Sequence, residues 1–161
     1  LHKEYRRQRQ MCIRDRITES FQNFRNMWDE GGRRMREMVY IDITSVHKCS
    51  ADEAERLAAM IPDCPTYGTD VTNLFFFRFY MEHRMRSNPL TNPQPHLMVR
   101  QQPVSAYGLP VELYCFTSCT QWVDFEHFKA EIVETAYASL GKFGLRAFQS
   151  PSGIDFDKLK N

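Results

Sequence analysis

Residues 38–61 read MVYIDITSVHKCSADEAERLAAMI. In the first part, Val39, Ile41 and Ile43 recur at every second position, and Tyr40, Asp42 and Thr44 take the places between them. A period of two sends one set to each face of a pleated strand, so this part predicts a half-buried β-strand. The period then changes. Ser50-Ala51-Asp52-Glu53 is a capping box, in which the serine hydroxyl takes a free amide of a starting helix and Glu53 reaches back. Ala54, Leu57, Ala58 and Ile61 follow at i, i+3, i+4 and i+7, the apolar stripe of an amphipathic helix. A strand followed by a helix on one apolar side is the opening of an α+β layer.

Downstream, Pro62, Pro65 and Gly68 end that helix. Residues 71–86, VTNLFFFRFYMEHRMR, place Leu74, Phe77, Met81 and Met85 at helical spacing. The phenylalanine run also suits a strand, but the length and the charged tail favour a second, extra helix. Ser87–Pro95 is rich in proline and asparagine and reads as a loop. Leu97 to Gln101 and Val111 to Thr117 read as strands joined by PVSAYGLP into a long-looped hairpin. From Asp124 to Leu140, Phe125, Phe128, Ile132, Ala136 and Leu140 line one helix face, which Gly141 or Gly144 stops. Leu145 to Phe148 completes the set as a short strand. With the extra helix set aside the order is β-α-β-β-α-β, the ferredoxin-like plan: an antiparallel sheet with helices over its apolar face.

Upstream, Gly31-Gly32 forces a break, and residues 17–28, ITESFQNFRNMW, read as a short strand leading into it. Residues 1–16 have no steady apolar period and are expected to be disordered or non-native. Their MCIRDR string looks like translated sequencing-adapter sequence. The expected divisions are therefore 1–16, a strand-and-turn segment 17–32, an αβ-domain 33–150 and a loose tail 151–161.

Composition narrows the function classes. The 161 residues are 42% hydrophobic and 25% charged, which excludes collagen, low-complexity disorder and a disulfide scaffold. Net charge is +1, too little for a whole-molecule field that gathers nucleic acid. The charge is uneven, with a basic first 36 residues and an acidic remainder. No stretch approaches the roughly 20 apolar residues of a membrane span. The five cysteines form no CxxC pair, and an odd count reads as reduced thiols.

Tests for chemistry find no set that stands out. His83 with His96, or Cys115 and Cys119 with His127, lack a second ligand pair, so no metal is expected. Cys115 with His127, or Cys49 with His47, has the atoms for nucleophilic catalysis, but nothing nearby lowers a thiol pKa. Cys115 is in phase with Val111 and Leu113 and reads as a small core residue. Glu126 and Glu131 point different ways on one helix. Gly31-Gly32-Arg33-Arg34 matches no phosphate loop. No enzyme activity and no cofactor are expected. An RNA-recognition sheet would stack bases on aromatics such as Tyr114 and Phe116, but the glycine-bearing third-strand run is missing and Glu112 on that face repels phosphate, so no nucleic-acid partner is expected. Aromatics on the second face of a sheet suit a protein neighbour.

Four strings together resemble the MscS-type mechanosensitive ion channel family, in its miniconductance (YbdG-like) branch. They are SFQNFRNMWDEGGRRMREMVYIDITSV, TNLFFFRFYMEHRMRSNP, HLMVRQQPVSAYGLPVELYCFT and FGLRAFQSPSG, running in the family's order through residues 20–153. The resemblance implies the end of a middle β-domain (17–32) and then the ferredoxin-like αβ-domain. It implies a segment on the cytoplasmic side of a bacterial inner membrane, with the membrane reached only through pore helices that precede it. In that family, seven identical subunits form a ring whose cytoplasmic parts build a cage, and the channel opens under bilayer tension after osmotic downshift. The stretch between Ile61 and Asp70 departs from the family by being shorter. A structural role follows: Gly31 and Gly32 turn the chain between subdomains, Arg33 and Arg34 place charge beside that turn, and Tyr114 and Phe116 meet a neighbouring subunit. The alternative is a free-standing ferredoxin-like module binding RNA or protein.

Overall fold

The computed structural model describes residues 32–92 and 96–151. The expectations for 1–16, 17–28, Gly31 and most of the tail lie outside those residues. Strand β1 (Arg33–Ile41) buries Met35, Val39 and Ile41, as the alternation requires. It ends before Ile43, which is 48% exposed in a 3-10 turn over Ile43–Ser45 instead of continuing the buried face. The reason is local. The Asp42 carboxylate accepts the Thr44 N–H at 2.9 Å and the Thr44 hydroxyl at 2.7 Å, which curls the chain away from the extended ladder.

Helix α1 (Ala51–Ala58) is capped by Ser50, whose Oγ accepts the Glu53 N–H at 3.2 Å, and it buries Ala54 and Leu57. Ile61 is buried just beyond its end. Helix α2 (Asn73–Ser87), capped by Thr72, buries Leu74, Phe76, Phe77, Met81 and Met85. Helix α3 (Trp122–Leu140) buries Phe128, Ile132, Ala136 and Leu140. A 3-10 turn over Gly141–Phe143 follows it. Gly144, at φ 65°, takes the left-handed position, so of the two candidate stops it is Gly144 that needs to be glycine.

The sheet is built around β4 (Leu109–Thr117). β1 pairs antiparallel along one flank, from Arg33 opposite Thr117 to Ile41 opposite Leu109. The other flank is shared by β3 (Met98–Gln101) and the two-residue β2 (Thr91–Asn92), which lies inside the segment expected to be only loop. β4 also starts two residues earlier than expected. Pro110 fits at its second position because it needs only its carbonyl, which accepts the Gln102 N–H at 2.8 Å. The expected last strand is reduced to one antiparallel bridge, Ile41 to Ala147. Two bonds flank it: Asp42 N–H to the Arg146 carbonyl and Phe148 N–H to the Tyr40 carbonyl, both 2.9 Å.

Over the described residues the fold is thus α+β, an antiparallel sheet with three helices, and its order of bridge, β1, β4 and β2/β3 is compatible with the ferredoxin-like plan. α2 packs on β2 and β3, and α3 on β1. Met35, Val39, Val111, Leu113 and Cys115 meet Phe77, Met81, Phe128, Ile132 and Phe143 in one core. Each large side chain there contributes about 1.5–3 kcal/mol by leaving water. Among the described residues no helix is long and apolar enough to cross a membrane.

Candidate functional site

The second face of the sheet carries the alternate residues. Arg34, Arg36 and Met38 of β1 stand opposite Phe116, Tyr114 and Glu112 of β4. On the far flank Asn92, Met98 and Arg100 pair with the same three β4 residues. Glu112 is fully buried at the centre. Arg36 Nε donates to one carboxylate oxygen and Arg100 Nε to the other, and Gln102 Nε2 donates to the latter at 2.9 Å. Burial is the largest single influence on this carboxyl and pushes its pKa up. The hydrogen bonds from Arg100 and Arg36, with their charges, outweigh it and hold the pKa below the ordinary 4.5. Glu112 is therefore an ionised brace joining three strands. The expectation that it repels phosphate is corrected: two guanidiniums already cover its charge.

The residues singled out from sequence separate. Tyr114 is partly exposed and stands at 5.8 Å from Phe116, edge to face. Phe116 is only 5% exposed, which leaves Tyr114 as the accessible ring of the pair. Arg34 is exposed beside them. Arg33, on the opposite face, does not lie free near a turn: its guanidinium sits 4.9 Å over the Phe125 ring of α3, a cation–π contact inside the domain. Gly32, at φ 153°, lies against the end of β4. A Cβ there would be 2.2 Å from the Thr117 carbonyl oxygen. Gly32 is thus tied to packing within this domain, and Gly31 lies outside the described residues.

A second cluster forms where β1 hands over to α1. His47 Nε2 is 3.1 and 3.2 Å from the two Glu53 carboxylate oxygens, and its Nδ1 is 3.2 Å from the Ser45 carbonyl. Cys49 Sγ lies with them, the three donor groups falling within 4.8 Å of one another. The Glu53 side chain has turned to His47, so the capping box closes on the serine side. Burial, and then the charge of Glu53, push the Cys49 thiol up to about 11. The thiol is therefore protonated at neutral pH and is no activated nucleophile. Cys115 is pushed up to about 12 by burial alone, in keeping with a core role.

Sequence reasoning paired Cys49 with His47 but missed Glu53, which it assigned to capping. It also missed Arg36, Arg100 and Gln102 around Glu112. The alternation of β1 was signal enough to place Arg36 on the second face; its partner became visible only with the register. Compared with models of known protein families, the chain matches none.

Proposed function

We propose that this chain is the cytoplasmic cage domain of a tension-gated channel of the MscS type, miniconductance branch, on the cytoplasmic side of a bacterial inner membrane. Its role there is structural: it packs against identical subunits in a ring of seven and helps hold the cage. The reading is supported by the four strings in family order. The single structural observation that carries it is the second sheet face, where an ion-paired brace of Arg36, Glu112 and Arg100 joins three strands under a surface offering Tyr114 and Arg34. A braced face with an accessible aromatic and accessible arginines suits a protein neighbour, both residue types being enriched at such contacts.

The deciding experiment is to read the source locus upstream of Ile17. An open frame running into apolar spans of roughly 20 residues supports the reading. A genuine start codon directly before Leu1 overturns it. One observation favours the alternative of a free-standing RNA-binding module: with Glu112 paired, Arg34, Arg36 and Arg100 leave the face positive. Titration of labelled single strands at low salt separates the two. Saturable micromolar binding that weakens with salt is the RNA outcome. The cage reading expects none, since Phe116 is too buried to stack a base.

A further inference from the structure

We propose that His47, Cys49 and Glu53 form a three-ligand site for a divalent transition-metal ion of the zinc class. The argument begins with the His47 ring. Its two nitrogens both face acceptors, Nδ1 the Ser45 carbonyl and Nε2 the Glu53 carboxylate. A neutral imidazole has one N–H, so in either tautomer one lone pair meets an acceptor. The arrangement is satisfied by an additional positive charge at the ring, carried by a second proton or by a metal ion. With Nδ1–H on Ser45, that charge belongs at Nε2, which faces the Glu53 oxygens, and Cys49 Sγ lies within 4.8 Å of both a ring nitrogen and a Glu53 oxygen.

The three groups are held in place by bonds that need no ion. The His47 N–H donates to Asn73 Oδ1 at 3.1 Å. The fully buried Asn73 also donates to the Ser45 carbonyl at 3.0 Å, which fixes the acceptor behind the ring. Such an oriented carbonyl behind a ligating histidine sets its tautomer. The Cys49 N–H donates to the Val71 carbonyl at 2.9 Å. Ser50 anchors the backbone of Glu53.

The donors are one imidazole nitrogen, one sulfur and one carboxylate. Sulfur and imidazole select zinc-class ions over magnesium or calcium. Neighbouring donors of a tetrahedral zinc lie roughly 3.3–3.8 Å apart, given its bond lengths. The three donor atoms lie within 4.8 Å of one another, so the span must contract by about an ångström on binding. Binding releases the Cys49 thiol proton, and any proton on His47 Nε2, to solvent. Thiolate and carboxylate then balance the dication.

The test uses the whole 161-residue chain, stripped with chelator and titrated with cobalt(II). Variants are Cys49→Ser, His47→Gln, Glu53→Gln and a Cys12→Ser/Cys64→Ser control, each checked for folding by circular dichroism. The expected result is one equivalent of cobalt with a near-ultraviolet thiolate-to-metal band, in wild type and control alike, displaced by zinc. Cys49→Ser loses the band. His47→Gln, an exposed site whose change spares the core, and Glu53→Gln each weaken cobalt by at least about tenfold. Absence of the band in wild type overturns the proposal and leaves a proton as the extra charge. Unchanged affinity in folded His47→Gln overturns it too, by placing the metal on other thiols.

Discussion

Gly32 and Glu112 show what single positions contribute. Gly32 combines a positive φ with a backbone carbonyl where its Cβ would stand. Gly32→Ala should therefore lower stability by about 2–4 kcal/mol, because the obstruction is main chain and cannot rotate away. Chemical denaturation measures this, and a loss below about 0.5 kcal/mol would show that β4 yields easily at Thr117. Glu112 makes a pH prediction. Its folded pKa lies below the ordinary 4.5, so its stabilisation is fully present above that value and fades as pH falls through the folded pKa. Glu112→Gln should cost about 1–2 kcal/mol at pH 7; the two guanidiniums are about half exposed, which discounts the pair relative to a dry one. The gap between wild type and Glu112→Gln should narrow from pH 6 to pH 3. A gap that widens on acidification would mean the carboxyl is held neutral instead.

At the scale of elements, Asn73 links three pieces of chain. It opens α2, accepts the His47 N–H, and donates to the carbonyls of Ser45 and Phe143 at 3.0 and 2.9 Å. It thus ties the β1–α1 connection and the end of α3 to the start of α2. Asn73→Ala should cost about 2–4 kcal/mol, since it strands buried backbone groups rather than removing a surface contact. Urea midpoints at constant slope test it; a neutral outcome would mean that water replaces the amide. Gly144→Ala, at the left-handed position after α3, should cost about 1 kcal/mol, whereas Gly141→Ala, in right-handed backbone with open space, should be near neutral. Equal effects would deny Gly144 the stop role. The sequence could propose both glycines but not choose between them, because the choice depends on where the 3-10 turn over Gly141–Phe143 lets the chain return toward β1.

For the molecule as a whole, the cage reading predicts that residues 17–161, produced alone, are monomeric or weakly associated, since the pore that would close the ring is not part of them. Mass measurement by light scattering checks this, and a tight heptamer would show that this domain's own surface suffices to assemble it. Thiol accessibility offers an independent check of the core. Cys64 is partly exposed, while Cys49, Cys115 and Cys119 are buried, so among these four a thiol reagent should modify Cys64 first and Cys115 only with global unfolding.

The sequence by itself determined the element types and their order. Alternation in Val39–Ile41, the stripe of Leu74, Phe77, Met81 and Met85, and the Ser50 cap are all local signals, each written within one short stretch of chain. It also determined which face of each element is apolar, and hence the α+β layering. The tertiary structure alone decided where β1 stops, that Thr91–Asn92 joins the sheet, and that the last strand shrinks to one bridge, since each depends on hydrogen-bond partners far along the chain. It alone brought Arg36 to Glu112, 76 residues away, and turned Glu53 from its own helix cap to His47. Those pairings depend on register and on the competition between nearby acceptors, which hydrophobic periodicity does not encode.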